Sequence, residues 1–520
     1  MSARLRFSAK HQDARPLKAR RDFDKAVACQ RSGDDDEASR LYTKLLKHHP
    51  EHFDALAHFG LLKLQQGQSQ RALDLLTKAI KLEPRSLGVL NALGVIFCNL
   101  ARFDEAVDVF RRMLALDSSN PHTHNNIGNT FAELRRFDDA SAAYDRALEL
   151  KSNFAESWLG RGNILLSIRR YDDALTAVDM ALQFNPTLDN AWISRGNALT
   201  ELKRYDEALA AYREALALEP NSVKSWLGLG NLSTARKDYD AAIAAFDKAL
   251  AIKPDFVPAL LRRGRARCLQ GDTDEGTQDY QRAIDLGGDE ELVRFELAQF
   301  GSGPAPAATP KSLIVSMFDS YADGFDNSLV NQLQYQTPVE LFALISRETL
   351  QAPLNVLDLG CGTGLMGAQI RASAATLTGV DLSARMLKKA GQRSIYDRLA
   401  CGDITEFLTT NTDTYGLVVC ADVFIYFGEL EIVFTQVRRA LDARGLFGFS
   451  VEATDEGECV LRQTGRYAHS ESYLRRLSST LGFAVERIEP TVLRKEFGAD
   501  IRGFNVLLRR QALTGDVEAS

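Results

Sequence analysis

Apolar residues follow two different patterns along this 520-residue chain, and the change falls near residue 300. Before that point, pairs of helical patterns alternate, as in residues 191–199 followed by residues 205–212. After it, short and nearly continuous apolar runs alternate with helical segments. Continuous apolar runs are typical of strands that are covered on both faces of a parallel sheet. The pattern therefore predicts an all-α region followed by an α/β region.

The helical region has a fixed 34-residue period. Glycine recurs at this spacing, at positions 60, 94, 128, 162, 196, 230 and 264. Alanine recurs in the same way, at positions 38, 72, 106, 140, 174, 208 and 242. Because one helix pair cannot bury its own apolar face, the repeated pair predicts units that stack into a solenoid. The period and the pattern resemble tetratricopeptide repeats, which would cover residues 19–290 in eight units.

This resemblance places the residue after each repeat glycine on the concave surface of the solenoid. Four consecutive units carry asparagine there, namely Asn129, Asn163, Asn197 and Asn231. An amide both donates and accepts hydrogen bonds, so such a ladder suits the backbone of an extended peptide. The alternative is that asparagine is simply common at this place in the repeat. The first interpretation implies a protein partner in the concave groove.

Composition suggests the domain boundaries. Residues 301–310 are rich in proline, alanine and glycine, which is typical of a short, semi-stiff linker. We expect a basic tail at 1–18, a capping helix and linker at 291–310, the α/β domain at 311–510 and a C-terminal tail at 511–520. In the α/β domain, the predicted strands begin at residue 356 and continue with residues 377–381, 398–403, 416–422, 445–451, 483–488 and 504–508.

The most informative stretch of the α/β domain is residues 356–367, an apolar run followed by a turn with glycine at every second position. Glycine lets a strand turn tightly into a helix while a ligand lies against the backbone. A dinucleotide fingerprint would have glycine at position 365, where this chain has leucine. The turn instead resembles the class I S-adenosylmethionine-dependent methyltransferases, which have a Rossmann-like fold. With the repeats in front, the whole chain is similar to bacterial repeat-containing predicted methyltransferases.

The methyltransferase resemblance implies a site for S-adenosylmethionine and a role for each matching residue. Asp381 would bind the ribose hydroxyls, and Asp403 would bind the adenine amino group. Tyr321 lies on a helix before the sheet, and it would either form a lid or pack on the core. The expected cofactor-binding residues are Asp358, Gly360, Cys361, Gly362, Gly364, Asp381, Leu382, Met386, Asp403, Ile404 and Tyr321.

Methyl transfer to oxygen or nitrogen can also require removal of a proton. The resemblance implies that Asp422, after the predicted fourth strand, faces the methyl-transfer region. His469 is the only histidine after the linker, and it is a candidate base beside Tyr426 and Tyr467. The acceptor would be a protein side chain or a small molecule. The alternative function is a repeat scaffold whose second domain binds the cofactor without catalysis.

Composition excludes several other classes. The formal net charge of −6 gives no basic excess of the kind that nucleic-acid binding requires. No apolar run reaches the length of a membrane span. The seven cysteines include no C-x-x-C pair, so we expect no metal site, no disulfide framework and a cytoplasmic location. The basic first 21 residues lack the apolar segment of a secretory signal; a mitochondrial transit peptide is the alternative to a frayed tail.

Overall fold

The computed structural model describes residues 17–322, 324–327, 335–348, 353–496 and 499–511. Most of the predicted tails, 1–18 and 511–520, therefore lies outside the described residues. The chain divides into two compact units. The first contains residues up to 166 together with 171–218, and the second contains residues 167–170 and 219–520.

Helices account for the regular structure up to residue 298. Those of the first unit are α1 (Leu17–Ser32), α2 (Asp35–His48), α3 (Phe53–Gln65), α4 (Ser69–Leu82), α5 (Leu87–Asn99), α6 (Phe103–Leu116), α7 (Pro121–Glu133), α8 (Phe137–Leu150), α9 (Ala155–Ser167), α10 (Tyr171–Phe184), α11 (Asp189–Glu201) and α12 (Tyr205–Leu218). Those of the second unit are α13 (Val223–Ala235), α14 (Tyr239–Ile252), α15 (Val257–Gln270), α16 (Thr273–Asp285) and α17 (Glu290–Ala298).

The 34-residue period sets where these helices end and how closely they pack. α4, α10, α12 and α14 each end two residues before a repeat proline, because proline cannot continue a helix. A Cβ atom on Gly196 would lie 2.7 Å from the Tyr212 ring, so glycine lets α11 approach α12 closely. Ala208 and Tyr212 are fully buried between the helices. The small residues of the repeat therefore allow the two helices of a unit to pack closely.

His52 lies in the loop between α2 and α3 and has a structural role there. His52 is buried, its ring stacks on Phe23 at 5.4 Å between centroids, and its Nδ1 accepts the Ala55 N–H at 3.3 Å. This histidine thus begins α3 as an N-cap.

The groove asparagines take part in contacts within the repeats. In the first unit, Asn129 accepts a hydrogen bond from the Tyr144 hydroxyl at 2.7 Å, and Asn197 accepts one from the Tyr212 hydroxyl at 2.7 Å. Both asparagines remain exposed. Because the side-chain oxygen is the atom held by the tyrosine, the amide nitrogen keeps its two donors.

The second region combines helices with one sheet. Its helices are α18 (Lys311–Tyr321), α19 (Phe325–Asn327), α20 (Thr337–Ile345), α21 (Leu365–Ile370), α22 (Ala384–Gln392), α23 (Ile404–Thr410), α24 (Glu431–Ala440) and α25 (Glu471–Thr480). Its strands are β1 (Leu354–Leu359), β2 (Ala374–Asp381), β3 (Arg398–Cys401), β4 (Tyr415–Cys420), β5 (Leu441–Ala453), β6 (Cys459–Leu461), β7 (Tyr467–His469), β8 (Phe483–Glu496) and β9 (Ala499–Arg510).

The sheet begins in the order β3-β2-β1-β4-β5, with these five strands parallel. Strand β9 then pairs antiparallel with β5, and β8 pairs antiparallel with β9. The parallel part matches the prediction. The last two predicted strands, β8 and β9, were expected in the same parallel sheet but run antiparallel and are longer than predicted. The short hairpin of β6 and β7 is additional to the predicted strands.

Apolar side chains from the helices cover both faces of the sheet. One cluster packs α24 and α25 against β4, β5 and β9, and the other packs α20 and α21 against β1 and β2. The carboxyl ends of β1, β2 and β4 lie at one edge of the sheet, which is where ligands bind in sheets of this kind. Within the described ranges, no helix has both the length and the apolar character needed to cross a membrane.

Candidate active site

The glycine turn, residues 360–364, connects β1 to α21. Gly360, Gly362 and Gly364 have φ angles of 67°, 53° and 91°, a left-handed conformation that side chains disfavour. A Cβ atom on Gly360 would also collide with the side chain of Val423, which follows β4. Gly360 therefore satisfies both a backbone requirement and a packing requirement.

Asp381 lies at the end of β2, beside the glycine turn. Its Oδ2 accepts the backbone N–H of Gly362 at 2.9 Å, and its Oδ1 accepts the backbone N–H of Ser383 at 2.8 Å. Burial raises the pKa of the Asp381 carboxyl, and the two backbone hydrogen bonds oppose that rise. Each carboxylate oxygen retains acceptor capacity beyond its one backbone partner.

Asp403 follows β3 and is the N-cap of α23. Its Oδ1 accepts the backbone N–H groups of Thr405 and Glu406 at 2.9 and 3.1 Å. Its Oδ2 lies 3.4 Å from the Nζ of Lys311, the first residue of α18. This contact could not be predicted from the sequence, because Lys311 lies 92 positions before Asp403 in a region without a motif.

The glycine turn, Asp381 and Asp403 all line one cavity of about 270 Å³. Helix α18 contributes apolar side chains to its wall, including Ile314, Met317 and Phe318. Ten of the predicted site residues line it, namely Tyr321, Gly360, Cys361, Gly362, Asp381, Leu382, Asp403, Ile404, Asp422 and Tyr426. The structure therefore brings most of the predicted cofactor residues to the same cavity as two of the predicted catalytic residues.

Three other predicted cofactor residues lie behind the cavity wall. Asp358 is buried beneath the glycine turn, and burial raises the pKa of its carboxyl to about 7. Gly364 caps the start of α21. Met386 is fully buried in α22 and packs in the interior. Asp358, Gly364 and Met386 can support the cavity but do not line it.

The structure does not bring Tyr467 or His469 to the cavity. The Tyr467 hydroxyl donates to the Pro306 carbonyl at 2.7 Å, and its ring packs on Phe295 of α17. His469 is fully buried and stacked on Tyr473, and burial lowers the pKa of its ring to about 4. Neither residue is therefore placed to accept a proton from a methyl acceptor in the cavity.

The cavity wall also contains a cluster of charges around Asp422. This residue has a left-handed φ of 59°, and its backbone N–H donates to the Ser450 hydroxyl at 2.8 Å. Nη1 of Arg494 lies 3.1 and 3.2 Å from its two carboxylate oxygens. Strain of this kind in a residue other than glycine persists where the surroundings impose it, often at functional sites.

Arg494, on β8, is 1% exposed and also lines the cavity. Its guanidinium donates to Glu452 and, at 2.8 Å, to Glu496. Burial raises the pKa of Glu452, while Arg494 and Arg466 oppose that rise. A buried guanidinium requires such partners, because an unpaired charge in the interior is very unfavourable. Sequence reasoning missed this cluster because its members are joined only by the pairing of distant strands.

Comparisons with known proteins agree with this architecture. The family described as "Methyltransferase domain" matches residues 356–445, from β1 to β5. The family described as "Tetratricopeptide repeat" matches residues 58–121, 125–189 and 193–256. The predicted fold class, an all-α tetratricopeptide solenoid followed by a Rossmann-like methyltransferase domain, is confirmed.

Individual relatives match one region of the chain. The chain is 25% identical over 194 residues to magnesium-protoporphyrin O-methyltransferase from Synechocystis. The match covers 34% of this chain and 83% of that protein. Over 174 residues, the chain is 25% identical to malonyl-(acyl-carrier protein) O-methyltransferase from Legionella pneumophila, covering 32% of this chain and 60% of that protein, less than two thirds. The crystal structure of the Synechocystis enzyme with bound SAM has a TM-score of 0.31 and 20% identity, covering 40% of this chain and 100% of that one.

The residues that line the cavity fit S-adenosylmethionine, the cofactor that the sequence predicts. Gly360 and Gly362 leave a backbone surface free of side chains at the cavity wall. Asp381 offers a buried carboxylate with remaining acceptor capacity, as two ribose hydroxyls require. Leu382 and Ile404 offer apolar surface for a purine ring. The chain is therefore a tetratricopeptide-repeat protein that carries a class I methyltransferase domain.

Proposed function

We propose that this protein is an active S-adenosylmethionine-dependent methyltransferase that modifies a protein side chain or a small molecule, and that its repeats bind a protein partner. The observation that carries the proposal is the composition of the cavity. One part of the cavity wall, called here the glycine-turn end, has the glycine turn and Asp381. Another part, called here the Asp422 end, has Asp422 fixed by a buried arginine. A domain that only bound the cofactor would need the first end and not the second.

At the first end, this chain's own residues would hold the cofactor. Asp381 would accept hydrogen bonds from the ribose hydroxyls, and Asp403 from the adenine amino group. Leu382 and Ile404 would enclose the adenine ring. The bound cofactor supplies a methyl group that is already activated on a sulfonium. The protein's task is therefore to align a nucleophile with that methyl group and to exclude water.

At the second end, Asp422 would accept a hydrogen bond or a proton from the acceptor. Its position is fixed twice, through its backbone N–H and through its carboxylate. Tyr426 lines the same region, and burial raises the pKa of its hydroxyl, so this group stays protonated at neutral pH. Tyr426 would therefore donate a hydrogen bond to the acceptor instead of removing its proton.

The repeats would hold a protein partner through the exposed asparagines of the groove. With their oxygens held by tyrosines, the amide nitrogens of Asn129 and Asn197 would donate to backbone carbonyls of an extended peptide. We further propose the cytoplasm as the compartment, since all seven cysteines are free thiols.

The test uses the full chain, methyl-labelled S-adenosylmethionine and a cell lysate. The matched variants are Asp422→Asn and a groove variant with Ala at positions 129, 163, 197 and 231. We expect labelled product with the unsubstituted chain and at least a tenfold lower yield with Asp422→Asn at unchanged cofactor affinity. Label in a protein that disappears with the groove variant identifies a recruited protein acceptor, and label in small molecules that persists identifies a metabolite acceptor. Tight cofactor binding without any transfer would support the scaffold function instead.

A further inference from the structure

Tyr396, which lies between α22 and β3, contacts the back of the glycine turn and touches glycines from three different elements. A Cβ atom would lie 3.0 Å from the Tyr396 ring at Gly364 and 2.8 Å from it at Gly379. At Gly367, in the first turn of α21, a Cβ atom would collide with the tyrosine hydroxyl. Three glycines around one aromatic ring indicate that the position of this ring matters for the turn.

The hydroxyl of Tyr396 has one specific partner. It donates to Oδ2 of Asp358 at 2.7 Å. Asp358 is 1% exposed and lies near the end of β1, two residues before the glycine turn. Burial raises the pKa of Asp358 to about 7, and the hydrogen bond from Tyr396 opposes that rise. Asp358 is thus poised to change its charge near neutral pH, and Tyr396 favours its ionised form.

Other groups that face Asp358 shift its pKa in different directions or are neutral. Asp381 on β2 raises the pKa of Asp358 through its negative charge, whereas the backbone of Gly367 on α21 lowers it. Cys361 in the glycine turn and Cys420 on β4 interact with Asp358, and burial keeps both thiols protonated by raising their pKa. Tyr335, before α20, also interacts with Asp358, and burial raises the pKa of its hydroxyl. The Tyr396 hydroxyl therefore supplies the side-chain hydrogen bond that favours the ionised form of Asp358.

The same short segment makes a second contact with the turn. Nε of Arg393 donates to the backbone carbonyl of Thr363 at 2.6 Å. The turn is therefore held by both ends of residues 393–396. Tyr396 does not itself line the cavity, so it acts through the groups that it contacts.

We infer that Tyr396 is a positioning residue for the cofactor, because it fixes Asp358 and the glycine turn against which the cofactor lies. This inference rests on the proposed function, since it assumes that S-adenosylmethionine binds at the turn. The ionised Asp358 orients the turn as a hydrogen-bond acceptor, and its negative charge favours a cationic ligand nearby. Protonation of Asp358 removes both effects.

The test is calorimetric binding of S-adenosylmethionine to the full chain between pH 6 and pH 8.5. The folded-state pKa of Asp358 is raised, so its charged form is present above that pKa and is lost as the pH falls through it. Affinity should therefore fall below about pH 7. In Tyr396→Phe, which keeps the ring and removes the hydroxyl, the midpoint of this fall should move upward by about one pH unit. At pH 7.5 the variant should bind several-fold more weakly.

Matched variants separate this role from a purely structural one. Tyr415→Phe removes a hydroxyl in the same domain that lies 3.4 Å from Asn411 and outside the cavity, so its midpoint should stay in place. Asp358→Asn, with Tyr396 intact, should remove the midpoint, and it carries the test if Tyr396→Phe does not fold. An unchanged midpoint in Tyr396→Phe, or a persistent one in Asp358→Asn, would overturn the inference. Failure of the unsubstituted chain to bind S-adenosylmethionine at any pH would instead overturn the proposed function.

Discussion

The two ends of the cavity are built from the sequence in different ways. The glycine-turn end comes from residues close together in the chain, and its backbone amides and Asp381 are joined by the parallel pairing of β1 and β2. The Asp422 end comes from β4, β5 and β8, and it is held by the charges around Arg494. A ligand surface made of backbone leaves a motif in the sequence, whereas one made of distant side chains does not.

This difference predicts that the Asp422 end depends on charge pairing, and that a substitution there lowers the free energy of unfolding more than one at the glycine-turn end. Arg494→Met should lower the free energy of unfolding by about 3–5 kcal/mol, because it leaves three carboxylates without their buried partner. Hydrogen exchange of β5 and β8 in the full chain measures the effect. Helix α11 lies in the first compact unit, so its hydrogen exchange should stay unchanged.

The matched control for that variant is Arg398→Met. Arg398 is 57% exposed and pairs with Asp413 at 3.3 Å, an arrangement whose loss costs at most about 1 kcal/mol. Equal exchange in the two variants would mean that the charge cluster does not hold the strands together, and the contrast between the two ends would disappear.

The next largest effect is expected at the glycine-turn end. Asp381→Ala should weaken S-adenosylmethionine binding by about a hundredfold, since it removes the acceptor for the ribose hydroxyls and the partner of the Gly362 amide. Calorimetry on the full chain measures this loss. Asp413→Ala, an exposed carboxylate in the same domain, serves as the control and should leave the affinity unchanged. Retained affinity in Asp381→Ala would remove the basis for placing the cofactor at this end.

A contact between the two ends allows a third, smaller test. Ala at position 360 would be left-handed and would collide with Val423, which follows Asp422. We expect Gly360→Ala to weaken cofactor binding by about tenfold, and Val423→Ala to restore the part of that loss due to the collision. The part due to the left-handed backbone, about 1–2 kcal/mol, should remain. A double variant no better than Gly360→Ala would show that the two ends do not constrain each other through this contact.

The same contrast explains which parts of the fold and of the site could be predicted from the sequence. The 34-residue period predicts the repeat helices because it reflects contacts between neighbouring units, which recur at fixed spacing. The glycine turn, Asp381 and Asp403 are predictable because parallel strands bring their carboxyl ends to one edge of the sheet. Arg494 and Tyr396 were not predictable, since each acts on a partner that is distant in the sequence and that only the folded domain brings near. The prediction of His469 as a base relied on residue type alone, and residue type does not reveal burial.

The smallest expected effect concerns Tyr426, which lines the Asp422 end. Burial raises the pKa of its hydroxyl, so at neutral pH the group is protonated and cannot accept a proton from the acceptor. Tyr426→Phe keeps the ring that lines the cavity and removes one hydrogen-bond donor, which predicts at most a roughly tenfold lower rate of transfer in the lysate assay. Asp422→Asn should reduce transfer more, because the amide cannot take up a proton. If Tyr426→Phe abolished transfer and Asp422→Asn did not, the proton would leave through the tyrosine, and the charge cluster around Arg494 would serve the strands alone.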